Sequence, residues 1–105
     1  MAHNVQITRR AFDEIDESAA HIALDSPDAA RRWRDRILDD IESLQNFPLR
    51  HGLAPEAEVV GVELHQMMHG PYRVLYTVNA NEVTVHGIRH GARRPMLPEE
   101  LPGPS

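Results

Sequence analysis

The sequence predicts an α+β fold in the order β-α-α-β-β-β, with two antiparallel helices packed on one face of a small, mainly antiparallel sheet. Three observations predict it. Apolar residues recur at steps of three and four through the first half, the period changes to two in the second half, and capping and turn residues stand at the joins. The 105 residues suit one domain over 1–96 with a proline-rich tail over 97–105.

Residues 4–8 alternate polar and apolar side chains and predict a short strand. Thr8 then caps a helix whose stripe is Phe12, Ile15, Ala19, Ile22 and Ala23. Asp13, Glu14, Asp16 and Glu17 lie off that stripe and place acid near the positive end of the helix dipole. Ser26 is a natural N-cap, and Pro27 falls at the first helical position, where its missing N–H costs nothing. Ala30, Trp33, Ile37, Ile41 and Leu44 form the second stripe. Phe47-Pro48 ends this helix, because the residue before a proline avoids the helical region.

Pro48, Gly52 and Pro55 predict a loop over 48–58. From Val59 the period is two, with Val60, Val62 and Leu64 alternating against Gly61, Glu63 and His65, which predicts a strand. After Gly70-Pro71, residues 72–78 form the strongest strand. Tyr72, Val74, Tyr76 and Val78 share one face, and Arg73, Leu75 and Thr77 the other. Asn79-Ala80-Asn81 is a turn, with asparagine suited to the left-handed region. Residues 83–88 return as the partner strand, and Gly87 within it marks a bulge or a close backbone approach. Pro95, Pro98, Pro102 and Pro104 exclude a regular element at the end of the chain. One face of the sheet is left open or covered by something else.

Composition excludes several chemistries. There is no cysteine, so disulfides, thiolate metal sites and cysteine nucleophiles are absent. All eleven basic residues are arginine, which removes lysine Schiff-base chemistry. No apolar run approaches the ~20 residues of a membrane span, and no leader-like segment opens the chain, so a cytoplasmic location with no membrane partner is expected. The seven histidines include the pairs His65/His69 and His86/His90. On strands each pair is about 13 Å apart at ~3.3 Å per residue, too far to chelate, so neither a metal nor another cofactor is expected.

The net charge of −5 is unevenly distributed. Residues 9–47 carry six arginines against ten acids, whereas residues 71–94 carry Arg73, Arg89, Arg93 and Arg94 against Glu82 alone. Arg73 is either an exposed cation, a partner of Glu63, or a clamp for phosphate or carboxylate. Arg89, His90, Arg93 and Arg94 crowd the end of the last strand, where sites tend to be mounted. They suit a polyanion or an acidic protein surface.

Residues 70–78, the run Glu82-Val83-Thr84-Val85, and residues 88–94 together resemble the RelE/ParE superfamily of bacterial type II toxin–antitoxin toxins. Ser26-Pro27-Asp28 before the second helix and Leu44-Gln45-Asn46-Phe47-Pro48 at its end match the same pattern, over about residues 4–96. The resemblance implies the fold given above and one of two activities. RelE-like members cut mRNA on the ribosome, for which Arg73, Arg93 and His90 would be the catalytic residues here. The lysines and tail tyrosine of that group have no counterpart in this chain. ParE-like members bind DNA gyrase, and residues 88–93 resemble their strand end, so this activity is expected. Arg73, Arg89, His90, Arg93 and Arg94 would then contact target or antitoxin. A third possibility is an inactive homologue that only assembles with its antitoxin and touches DNA through it.

Overall fold

The structure is a computed structural model that describes residues 2–91. Arg93, Arg94 and the expected proline-rich tail lie outside the described residues. Strand β1 (Asn4–Ile7) leads through Thr8 into helix α1 (Arg9–Ala23). The Thr8 hydroxyl accepts the Ala11 N–H at 3.1 Å, and Ser26 accepts that of Ala29 at 3.2 Å at the start of α2 (Pro27–Glu42). Both caps fall where the sequence places them. A 3-10 turn over Ser43–Gln45 and another over Pro48–Arg50 follow, and then a short helix α3 (Glu56–Val60). Strands β2 (His65–His69), β3 (Tyr72–Asn79) and β4 (Glu82–His90) complete the described residues.

The sheet order is β1-β4-β3-β2, with β1 parallel to β4 and the other pairs antiparallel. Helices α1 and α2 cover one face. Ile15, Ile37, Ile41 and Leu44 interlock with Val74, Tyr76, Val83 and Val85 in a cluster whose members are buried. Each such side chain stabilises the fold by roughly 1.5–3 kcal/mol.

Gly87 does mark a bulge. Leu75 pairs with Gly87 and Tyr76 with Val85, so His86 is an extra residue in β4. The insertion shifts the period by one and keeps Val83, Val85 and Ile88 all on the helix face.

Four local expectations change. The strand expected from Val59 starts at His65 instead, and residues 56–60 are helical. Glu56-Ala57-Glu58 favour a helical turn, which Gly61 stops at φ 75° while its N–H bonds Ala57 O at 3.0 Å. Val60, Val62 and Leu64 still meet one apolar cluster, but from a helix, a turn and a strand approach rather than from one strand. That cluster includes Leu75 and Ala54, so the segment around α3 covers part of the sheet face opposite α1 and α2. Phe12 is exposed; the buried face of α1 runs through Ala11 and Ile15. In the β3–β4 turn it is Ala80, not an asparagine, that takes the left-handed conformation, at φ 54°.

Candidate functional site

Strand β1 is shorter than β4. Its ladder ends at Ile7 opposite Val85, and beyond that point α1 runs along the edge of β4. Glu14 replaces the missing strand. Its carboxylate accepts the Ile88 N–H at 3.2 Å and the Arg89 guanidinium at 3.1 Å. One side chain thereby satisfies an edge backbone donor and a largely buried cation. The opposite wall comes from β3 and β4. His90 packs edge-on against Tyr72 at 5.2 Å, and Tyr72 lies 5.0 Å from Trp33 of α2. Gly91 seals the end, donating to Pro71 O at 2.6 Å, and a Cβ there would sit 3.2 Å from that oxygen.

Between these walls lies a cleft of about 450 Å³, lined by Glu14, Glu17, Ser18, His21, Tyr72, Ile88, Arg89 and His90. Acids, imidazoles and a phenol stand beside Arg89, a mixed lining suited to a polar protein surface.

The sequence-predicted site residues separate. Arg89 and His90 both line this cleft. Arg73 is Arg89's partner in register and shares its sheet face, yet its guanidinium turns to α3 and does not line the cleft. It donates to both oxygens of Glu56, at 2.9 and 2.7 Å, and to Gln66 Oε1 at 3.1 Å. Its partner is therefore Glu56 of α3 rather than Glu63, and the pair is buried, with side-chain exposures of 13% and 2%. The two neighbouring arginines each have their own carboxylate, Glu56 for Arg73 and Glu14 for Arg89, which removes the cost of like charges side by side.

Glu14, Glu17, Ser18, His21, Tyr72 and Ile88 are the cleft residues that sequence reasoning missed. Counting the α1 stripe from Ala11 instead of Phe12 puts positions 11, 14, 15 and 18 on the inward face, and so would have found Glu14.

Of the two spaced histidine pairs, the three members other than His90 lie outside this cleft. His69 pairs with Asp40 across the β2–α2 contact. His65 stacks on Tyr76 at 5.4 Å, with Nδ1 2.9 Å from His51 O. His86 bonds Thr77 Oγ1 at 2.8 Å, and burial pulls its pKa down. Burial also lowers that of His51, helped by Arg50 and His65. Among the described residues no group of three or more His, Asp or Glu could hold a metal, and no helix is long and apolar enough to cross a membrane.

Residues 5–95 match the model of a family described as the ParE toxin of the type II toxin–antitoxin system parDE. No curated protein matches in sequence. A chain of the chromosomal ParDE TA system from P. aeruginosa superposes with a TM-score of 0.68 at 21% identity, over 85% of this chain and 96% of that one. A chain of the toxin-antitoxin complex RelBE2 from Mycobacterium tuberculosis gives a TM-score of 0.63 at 19% identity, over 86% and 92%. At these identities the two structures establish the shared fold.

Proposed function

This chain belongs to the ParE toxin family of type II toxin–antitoxin systems, and on that premise we propose that it acts by binding a host protein, DNA gyrase, and is neutralised by a cognate antitoxin. The observation that carries this reading over RNA cleavage is the Glu56–Arg73 pair. Attack of a ribose 2′-hydroxyl on the adjacent phosphate needs a proton acceptor, a cation on the phosphorane and a proton donor. Arg73, the strand cation for that role, spends its guanidinium on Glu56 and Gln66. His90, the candidate base, lies against Tyr72 on the opposite side of the sheet. What converges instead is a polar cleft at the end of β4, on a molecule whose net charge of −5 disfavours ribosomal RNA. The antitoxin reading draws support from the two structural neighbours, one titled a ParDE TA system and the other a toxin-antitoxin complex.

Induced expression in bacteria tests the target. Gyrase poisoning gives an SOS response and filamentous cells, and purified protein inhibits gyrase supercoiling. Arrested translation with cleaved codons would assign the RelE-like ribonuclease instead, and unaltered growth would leave only the assembly role. Changing Arg93 and Arg94 together to alanine is expected to abolish toxicity without unfolding the domain; full toxicity in a stably expressed double variant would remove them from the site.

A further inference from the structure

A second surface, remote from the cleft, is built by the turn that follows α2. Phe47 stands at φ 49°, ψ 54°, a left-handed conformation that an aromatic residue adopts only under constraint. The constraint is visible on both flanks. The N–H of His3 bonds Gln45 O at 2.7 Å, and the Tyr76 hydroxyl, from the core, bonds the carbonyl of Pro48. Held in this way, Phe47 is 82% exposed and Leu49 is 64% exposed. A buried tyrosine thus anchors a strained turn whose two large apolar side chains point to water. Beside them lies a shallow cavity of about 760 Å³, lined by Ala2, His3, Asn46, Phe47, Pro48, Leu49 and Arg50.

The charge at this surface selects the occupant. Among the described residues no carboxylate lines the cavity, although the chain holds 16 acids. Arg50 donates to Asn46 O, Phe47 O and Ser43 Oγ and makes no ion pair with a carboxylate among the described residues. Phe47, Leu49 and Arg50 therefore form a small apolar and cationic patch on an acidic molecule. A second copy of this chain fits badly, since a two-fold contact here would set Arg50 near its own mate and bring two net charges of −5 together. A nucleic acid needs more cations than one arginine supplies.

We infer that the turn over 46–50 is a docking surface for an acidic peptide segment carrying apolar anchors, and that the segment belongs to the antitoxin. The apolar anchors would cover Phe47 and Leu49, and a carboxylate would take a place beside Arg50. This inference rests on the antitoxin reading above. It adds that neutralisation needs a contact far from the end of β4.

The test uses the full chain and its antitoxin, the purified product of the gene paired with this one, with affinity measured by titration calorimetry. Phe47→Asn removes the aromatic ring and places in the left-handed position a residue that tolerates it, so the variant should melt no lower than the parent. Its affinity for the antitoxin should fall at least tenfold, and that of Leu49→Ser by a similar factor. Arg50→Gln should flatten the salt dependence of binding. Unchanged affinity in both the Phe47 and Leu49 variants, with the parent binding tightly, would overturn the docking surface and leave the antitoxin reading intact. A parent chain that does not bind this product at all would overturn the antitoxin reading, and the docking surface with it.

Discussion

Replacing Glu56 with alanine leaves the Arg73 guanidinium buried without its carboxylate. In the folded chain the pair is bidentate, with the two side chains only 13% and 2% exposed. Solvent screening is weak at such burial, so this is not the surface salt bridge that adds little. Gln66 retains one hydrogen bond to Arg73 but no charge. Removing one partner of a buried pair costs ~3–5 kcal/mol, against a total stability of roughly 5–15 kcal/mol for a domain of this kind. In urea, with a slope of ~1.3 kcal/mol/M, the unfolding midpoint should fall by roughly 2–4 M. The double variant Glu56→Leu/Arg73→Met removes both charges and should recover most of the loss, because apolar replacements of similar volume are often neutral. Circular dichroism melts of the parent and the two variants make the comparison. A loss below ~1 kcal/mol in Glu56→Ala would refute the reasoning, since it would mean that Arg73 reaches water as soon as α3 lets go.

Two further predictions concern the turn and the histidines. Ala80→Gly should stabilise the domain by about 0.5–1 kcal/mol, because the left-handed φ of 54° strains alanine and not glycine, and Tm should rise by about 2–6 °C; an unchanged or lower Tm would dismiss the strain. His51 and His86 have folded-state pKa values below the ordinary 6.5, chiefly through burial, so the unfolded chain binds their protons first. Stability should then be full above about pH 6.5 and decline as pH falls through the lower folded-state values. Thermal melts from pH 8 to 5 would show this slope, His86→Gln should flatten it, and a Tm independent of pH across that window would contradict the assignment.

The sequence by itself determined the two helices, their caps and the strong central hairpin, because these rest on short-range chemistry. A Thr8 or Ser26 hydroxyl finds its N–H three residues away, a 3.6 or 2.0 period is written in adjacent positions, and Gly87 permits the bulge from its own backbone. The same local signals mark residues 88–94 as a candidate region; of these, Ile88, Arg89 and His90 line the cleft. What only the tertiary structure decided is which charges meet. Arg73 and Arg89 are identical in type and adjacent in register, yet one is taken by Glu56, 17 residues earlier, and the other by Glu14, 75 residues earlier. Nothing in the chain near either arginine announces its partner, because an ion pair depends on distance in space and on burial, not on spacing along the sequence. The helical turn at 56–60 has the same origin. The alternation of Val60, Val62 and Leu64 suits a strand, and the burial of Glu56 against Arg73, together with the stop at Gly61, makes residues 56–60 a helix. The strained exposure of Phe47 was equally out of reach, since the hydroxyl that bonds the next residue's carbonyl belongs to Tyr76, far along the chain in the core of the sheet.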